Sequence, residues 1–167
     1  MKRKSTARSA PASEAELAIQ VLAQFREVFR AAKLHFAAVK RSAGVSGAQL
    51  WALWELHEEP GLRITELTQR MSLHQSTVSN LVEKMSAAGL VLRARHPADG
   101  RVVRLRLSLA GKKVVARAPK PARGVLPDAL SRMQEQELRL LQGSLKRLIG
   151  KMKARAPGAA KTHLENI

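Results

Sequence analysis

Apolar side chains recur every three or four residues along the N-terminal part of the chain, starting just after a capping box formed by Ser13 and Glu16. This spacing predicts one amphipathic helix over about residues 13–42. Its apolar band consists of Leu17, Val21, Phe25, Val28, Ala32, Phe36 and Val39, widened by Leu22 and Phe29. Because so wide a band exceeds what one small domain covers, we expect part of it to form a subunit interface.

A second helical segment follows a break at Gly44. Ser46 and Gln49 form another capping box, which predicts a helix start. Apolar and aromatic residues continue over 47–58, and the Pro-Gly pair at 60–61 is expected to end the helix.

The next two helical patterns are short and close together. The first covers about residues 65–71, with Thr65 as its expected N-cap. A tight turn at 71–73 separates it from a helix over 74–88, which ends at Gly89. Two helices joined in this way predict a helix-turn-helix.

A pair of alternating segments comes directly after this motif. In both segments apolar residues alternate with arginines, which predicts two half-buried strands. The residues expected on the buried face are Leu92, Ala94, Val103, Leu105 and Leu107. Asp99 and Gly100 between them favour a tight turn. A hairpin in this position is a wing, so the predicted fold class is mainly α with a small β-hairpin wing, a winged helix-turn-helix.

The C-terminal third predicts short helical pieces followed by one longer helix. A helix near Gly111 is expected to be cut by Pro119 and Pro121, and Gly124 and Pro127 interrupt again. A final amphipathic helix is predicted over 134–154. The predicted organisation is a disordered basic arm (1–12), a dimerisation helix (13–45), a DNA-binding domain (46–110), C-terminal dimerisation helices (111–155) and a loose tail (156–167).

Charge is the extreme feature of the composition. The chain has 30 Lys and Arg against 13 Asp and Glu, a formal net charge of +17, which favours binding to nucleic acid. The absence of cysteine excludes disulfides and thiolate sites. No apolar run approaches the roughly 20 residues of a membrane span, and no signal peptide is visible. We expect a cytoplasmic protein without a cofactor and without membrane contacts.

The second helix of the predicted helix-turn-helix carries polar residues that can bind base edges in a major groove. The candidate DNA-binding residues of this motif are Thr65, His74, Gln75, Ser76, Thr77, Ser79, Asn80 and Lys84. The candidates in the wing are Arg95, Asp99, Gly100 and Arg101. Such small polar residues also occur on helices that merely face solvent, but the basic hairpin that follows them favours DNA binding.

Two stretches, LRITELTQRMSLHQSTVSNLVEKMSAAGLVLR and HPADGRVVRLRLSLAG, resemble MarR-type transcriptional regulators. The resemblance extends over about residues 15–154. It implies a homodimer held by its first and last helices, which binds pseudo-palindromic double-stranded DNA. It further implies a repressor that small ligands, often aromatic or phenolic acids, release. In the Asp-x-Arg wing motif it implies that Arg101 enters the minor groove and that Asp99 orients it.

Three residues depart from the family pattern. Ser72 stands where a turn glycine is common, which would strain the backbone if its φ is positive. His74 stands where Ser, Thr or Asp usually caps the recognition helix, so the cap is weaker or the imidazole binds a phosphate. Thr68 replaces a common alanine.

The resemblance also implies an effector pocket between the first helix, the second helix and the DNA-binding lobe. His35 and Trp51 are the candidate lining residues, and an anionic aromatic ligand would suit them. For Trp51 and Trp54 we favour a packing role over a ligand role, since buried aromatic residues usually serve the core.

Catalysis is not expected. The chain has no metalloprotease, phosphate-loop or nucleophile-elbow motif. His57, Glu58 and Glu59 could bind a metal by composition, but they stand at a predicted helix end, where solvated polar residues are usual. We therefore predict a sequence-specific DNA-binding regulator that holds no metal. The alternative is a largely non-specific architectural DNA-binding protein, which the charge would also support. RNA binding is disfavoured by the scarcity of aromatic residues.

Overall fold

The computed structural model describes residues 13–96 and 99–152 together with residues 161, 163 and 165, with side chains for all of these except 95–102. In chain order the elements are α1 (Glu14–Ala43), α2 (Gly47–Glu58), α3 (Ile64–Met71), α4 (Gln75–Ala87), β1 (Val91–His96), β2 (Asp99–Leu107), α5 (Leu109–Arg117), α6 (Val125–Ser131) and α7 (Glu135–Lys151). The predicted fold class, mainly helical with one hairpin, is confirmed.

The long first helix begins and ends as predicted. Ser13 Oγ accepts a hydrogen bond from the Glu16 backbone N–H at 3.3 Å, and Glu16 accepts one from the Ser13 N–H at 2.7 Å. Gly44 ends α1 with a left-handed φ of +73° and donates to the Lys40 carbonyl. All the buried residues of α1 lie in its C-terminal half, so the N-terminal half projects beyond the body of this chain.

The core forms around α2, which is buried on almost every side. Leu50, Leu53 and Leu56 are fully buried in this helix. They pack in one cluster with apolar residues of the neighbouring helices and of β2, among them Val39, Leu67, Met71, Val78, Val82, Met85 and Leu105. A helix surrounded in this way carries apolar residues all round, which explains why its sequence lacks a polar face.

The helix-turn-helix consists of α3 and α4. α3 begins at Ile64 with Arg63 as its N-cap, so the prediction of Thr65 as the cap is wrong. The reason is Glu66, whose carboxylate accepts from the Arg63 backbone N–H at 2.7 Å and from Arg63 Nε at 2.8 Å. These hydrogen bonds hold the pKa of Glu66 below its usual value. Thr68 Oγ1 donates to the Ile64 carbonyl at 2.8 Å, so this hydroxyl is accommodated inside the helix.

The turn between α3 and α4 contains the strained residue that the sequence indicated. Ser72 has φ +53° and ψ +36°, a left-handed conformation that disfavours side chains. Gly89 follows α4 with φ +69°, as expected for its C′ position.

The hairpin has the predicted two strands, but the buried face of β1 was predicted wrongly. Val91 is 3% exposed, whereas Leu92 is 56% exposed. The antiparallel register explains this, because Val91 lies opposite buried Leu107 and Leu92 lies opposite exposed Arg106. Ala94 is also exposed, since β1 leaves the body after its first residue.

The start of β2 also corrects the predicted turn. β2 begins at Asp99, which pairs with His96, so Asp99 and Gly100 lie within the second strand. The register then shifts between Arg95 and His96, a bulge-type irregularity near the tip.

The hairpin is attached to the loop before α3. The Gly61 N–H donates to the Leu105 carbonyl at 2.8 Å, and the Leu105 N–H donates to the Leu62 carbonyl at 2.9 Å. Arg104 adds a side-chain hydrogen bond to the Gly61 carbonyl at 3.0 Å. These bonds fix the base of the wing against the helix-turn-helix.

The C-terminal helices follow the prediction in outline. α5 begins at Leu109, two residues before the expected Gly111, because Ser108 caps it. It ends before Pro119, as predicted. Pro127 lies in the first turn of α6 and does not interrupt it, because a first-turn residue needs no intrahelical N–H bond. Residues 153–154, the predicted end of the last helix, lie outside the described part.

The prediction of a loose tail does not hold for the three described residues beyond α7. His163 is 5% exposed. Glu165 accepts a hydrogen bond from the Gly47 N–H at 2.7 Å, and the Lys161 carbonyl accepts one from the His74 N–H at 3.3 Å. Glu165 therefore contacts the start of α2, and Lys161 contacts the residue that precedes α4.

The left-handed turn residue yields a stability prediction. Ser72→Gly should be more stable than Ser72→Val by about 1–2 kcal/mol, because a β-branched side chain is strongly disfavoured at φ +53°. Urea denaturation of both variants measures the difference. Equal stability of the two variants would show that the turn relaxes to another conformation.

Candidate nucleic-acid interface and ligand cleft

The polar face of α4 points away from the core. Val78, Val82 and Met85 are fully buried on the opposite side of the helix. Of the predicted contacts on and just before this helix, His74, Gln75, Ser76, Asn80 and Lys84 are exposed, and Thr77 and Ser79 are half-buried. The helix therefore presents a continuous surface of small hydrogen-bonding side chains.

His74 occupies the N-cap position of α4 in an extended conformation. Within the described residues its imidazole makes no capping hydrogen bond, which agrees with the predicted weak cap. The side chain is exposed at the end of the helix, and Thr65 is exposed at the start of α3.

The arginines of the hairpin have different environments. Arg93 and Arg106 are exposed, whereas Arg104 is half-buried and bonded to the Gly61 carbonyl, so Arg104 serves the attachment of the wing. The side chains of Arg95, Asp99 and Arg101 lie outside the described part of the chain. The pairing of Asp99 with Arg101 therefore stays a prediction.

A buried acidic residue that the sequence analysis missed connects the DNA-binding helices to the rest of the fold. Glu55 of α2 is 2% exposed. It accepts from Trp51 Nε1 at 2.9 Å and from Arg123 Nε at 2.7 Å, and its second oxygen lies 3.6 Å from Arg70 Nη1. Arg70 also pairs with Glu59. An acid among apolar residues of the helix was the available signal, but its arginine partners lie farther away in sequence.

The predicted effector residues lie on the two helices that bound a small aromatic cleft. Trp51 of α2 and Phe36 of α1 both contact the His163 ring, with ring centroids 6.1 and 5.4 Å away. His35 is 8% exposed and packs edge-on against Phe36. Burial lowers the pKa of His35, and a hydrogen bond with the Pro121 backbone opposes this effect. Burial also lowers the pKa of His163, and the nearby Glu165 opposes it.

The second tryptophan lies in a different environment. Trp54 is half-buried beside the linker between α5 and α6, and Lys120 Nζ lies 3.5 Å from its ring centroid. The two tryptophans thus pack against different parts of the chain, and both contact the core cluster.

A large apolar surface is exposed where α1, α6 and α7 meet. α1, α6 and α7 enclose a groove of about 550 Å³ lined by residues that include Val21, Phe25, Phe29, Leu130, Leu145 and Leu148. None of the residues of α7, all of which the structure describes, is buried. Phe29 is 60% exposed and Ile149 54% exposed, which is unusual for side chains of this size.

Two other kinds of site are absent from the described part of the chain. In this part of the chain no helix is long and apolar enough to cross a membrane. Nor do the described His, Asp and Glu side chains form a group of three or more that could hold a metal ion.

Comparison with known proteins finds similarity to one family of regulators. A family model described as MarR family matches residues 43–102, which run from the end of α1 to the start of β2. The uncharacterised HTH-type transcriptional regulator YsmB of Bacillus subtilis is 29% identical over 127 residues, covering 71% of this chain and 87% of its own length. The chain is therefore similar to the MarR family over the helix-turn-helix and the start of the wing. The relatives that match the chain are named as HTH-type transcriptional regulators or repressors, and none of them is named as an enzyme.

Solved MarR-type structures share the fold. The transcriptional repressor CouR, bound to a 23-mer DNA duplex, has a TM-score of 0.57 at 23% identity and covers 85% of this chain and 100% of its own. The PcaV regulator from Streptomyces coelicolor, in complex with its natural ligand, has a TM-score of 0.50 at 23% identity and covers 85% and 98%.

The Glu55 cluster generates a second prediction. Arg123→Ala should lower the free energy of unfolding by roughly 2–3 kcal/mol, because it removes the nearest partner of a buried carboxylate. Urea denaturation measures this. Adding Glu55→Gln to Arg123→Ala should restore at least about 1 kcal/mol, since it removes the uncompensated charge.

An exposed ion pair provides the matched control. Arg132 pairs with Asp128 at 2.6 Å but is 71% exposed, so Arg132→Ala should change the free energy of unfolding by less than about 1 kcal/mol. A loss for Arg123→Ala no larger than that for Arg132→Ala would contradict the structural role of Glu55.

Proposed function

We propose that this chain is a MarR-family DNA-binding regulator, a homodimer that binds a pseudo-palindromic operator as a repressor and is released by a small aromatic or anionic ligand. The observation that carries the proposal is the exposed polar face of α4 with the arginine-bearing hairpin directly after it. In this arrangement the recognition helix enters a major groove and the wing reaches the neighbouring backbone or minor groove. The net charge of +17 supports the required phosphate contacts.

In this proposal each group of residues has its own role. The side chains of Gln75, Ser76 and Asn80, with Thr77 and Ser79 beside them, contact base edges. Those of Thr65, His74, Lys84 and Arg95 contact phosphates. At the wing, Gly100 lets the backbone approach the DNA closely, and Arg101 enters the minor groove in an orientation held by Asp99.

The dimer is supported by the open groove between α1, α6 and α7. Val21, Phe29 and Leu148 of this groove are 48%, 60% and 43% exposed, and a contiguous apolar patch of this kind marks an association surface. A two-fold dimer built on this surface would carry two copies of α4. The half-sites of its operator would then lie about one helical turn apart, which accounts for a pseudo-palindrome.

The repressor and ligand parts of the proposal are supported by relatives and by the cleft. CouR is named as a transcriptional repressor and PcaV is solved with a natural ligand, and both share this fold. Between α1 and α2, the half-buried Trp51 and Phe36 both contact the His163 ring, and the buried His35 packs against Phe36. A regulator of this kind acts where the DNA is, so the proposal includes a cytoplasmic location.

Competition binding tests the proposal against the non-specific alternative. The purified protein should prefer its own upstream DNA over random duplex of equal length by roughly 10³-fold or more. Asn80→Ala and Ser76→Ala should reduce this preference while leaving the salt dependence nearly unchanged. Similar affinity for both DNAs, with a steep loss at higher salt, would identify an architectural protein instead.

The wing motif predicts that two substitutions with opposite effects on the net charge both weaken operator binding. Arg101→Ala should weaken operator binding at least roughly tenfold, since it removes a groove-inserting cation. Asp99→Ala should also weaken binding, although it makes the protein more positive, because the arginine loses its orienting carboxylate. Electrophoretic mobility shift with operator DNA measures both. Tighter binding by Asp99→Ala would show that charge alone explains the wing.

The dimer surface can be tested independently of DNA. Leu148→Asp places a carboxylate in the apolar groove and should weaken dimerisation at least roughly tenfold, as sedimentation velocity would measure. Leu92→Asp is the matched control, since Leu92 is also exposed but lies on the hairpin. If Leu148→Asp and Leu92→Asp associate equally well, the dimer uses another surface.

A further inference from the structure

Three residues near the C-terminus occupy the cleft between α1 and α2. The His163 ring lies against both Phe36 and Trp51, with centroids 5.4 and 6.1 Å away, and the side chain is 5% exposed. The Glu165 N–H donates to His163 Nδ1 at 3.3 Å, which links the ring to the next acidic side chain. We call Lys161, His163 and Glu165 the tail segment.

Glu165 completes the N-terminal cap of α2. Its Oε2 accepts from the Gly47 N–H at 2.7 Å and from the Ala48 N–H at 3.4 Å. Ser46 Oγ accepts from the next N–H, that of Gln49, at 3.2 Å. The first three N–H groups of the helix, which have no partner inside it, are therefore all bonded. The carboxylate that does this comes from a residue 118 positions away from Gly47.

Gly47 makes room for this arrangement. A Cβ at position 47 would lie 2.5 Å from Phe36 Cδ1 and 3.3 Å from the Glu165 carboxylate. Only glycine lets the Phe36 ring and the carboxylate approach the helix start together. Beside Glu165 lies a cavity of about 420 Å³ lined also by Phe29, Lys33 and Phe36, which leaves space and a cation next to the carboxylate.

We propose that the tail segment is an internal ligand of this cleft and that a small aromatic carboxylate competes with it. The tail supplies a flat ring between two aromatic side chains and a carboxylate on two backbone N–H groups. A benzoate-like molecule carries the same two features on one small framework. This inference rests on the proposed function, because it names the segment of this chain that a ligand must displace from the predicted effector cleft.

The tail segment also touches the DNA-binding motif. The Lys161 carbonyl accepts from the His74 backbone N–H at 3.3 Å, and His74 is the N-cap of α4. Displacement of the tail removes this contact. Occupancy of the cleft and the start of the recognition helix are thus connected through a single segment.

Amide hydrogen exchange and ligand titration test the proposal on the full chain. In Glu165→Gln the amides of Gly47 and Ala48 should exchange faster than in wild type, because a neutral amide oxygen holds them less strongly. Benzoate added to wild type should keep these two amides protected while the His74 amide exchanges faster. Glu58→Gln, which removes an exposed charge from the same helix, should leave all three amides unchanged.

Benzoate affinity provides the competition test. Trp51 fluorescence in a Trp54→Phe background should give a dissociation constant at least roughly threefold lower for Glu165→Gln than for wild type, because a pre-occupied site reduces apparent affinity. His163→Ala should act in the same direction if Glu165→Gln does not fold. Acetate, which lacks the aromatic ring, and phenol, which lacks the carboxylate, should both bind more weakly than benzoate.

Several outcomes overturn the proposal. Unchanged exchange at Gly47 and Ala48 in Glu165→Gln would show that the tail does not hold this site. Equal benzoate affinity in wild type and both variants, or no benzoate binding to any of them, would exclude competition. Operator preference of the ligand-free wild type, measured separately, decides the proposed regulatory function, so its failure is distinct from failure of the tail.

Discussion

The burial of α2 is the constraint on which the rest of the molecule depends. Its leucines form the centre of the core, and α1, α3, α5 and β2 all pack around it. A helix in this position must satisfy every polar group it carries without much help from water. Several long-range contacts of the chain supply hydrogen-bond or ion-pair partners to these polar groups.

Two polar features of α2 are satisfied from distant parts of the sequence. In its middle, the Glu55 carboxylate is held by Trp51, by Arg123 from the linker before α6, and by the more distant Arg70 of α3. At its start, the free N–H groups are bonded by Ser46 and by Glu165. One helix therefore connects the linker before α6, the helix-turn-helix and Glu165 near the C-terminus.

Much of the fold could be predicted because its signals are local. The capping boxes at Ser13 and Ser46, the turn at Ser72 and the glycines after α1 and α4 are decided by neighbouring residues. The errors arose where local propensity had a competitor. The N-cap of α3 is Arg63, which is bonded to Glu66, and not Thr65. Pro127 is accommodated in the first turn of α6, where its missing N–H is not needed.

The candidate site was predictable in part. The polar face of α4 follows from helical periodicity, since the apolar residues that define the opposite face are close in sequence. Of the aromatic site between α1 and α2, the sequence singled out Trp51, and its effector role, like that of His35, stays a prediction. Phe36, His163 and Glu165 belong to it because the chain returns over more than a hundred residues, and no periodicity reports such a return.

The sequence by itself determined the helix-turn-helix, the wing, the basic charge and therefore the class of partner, because each depends on composition or on spacing within one element. Only the tertiary structure decided which face of β1 is buried, since alternation identifies two faces but the pairing of Val91 with Leu107 selects one. It alone also decided that Arg104 serves the wing attachment and that Glu55 is buried among distant arginines. Hydrogen bonds and ion pairs depend on distance in space, and distance along the chain does not encode them.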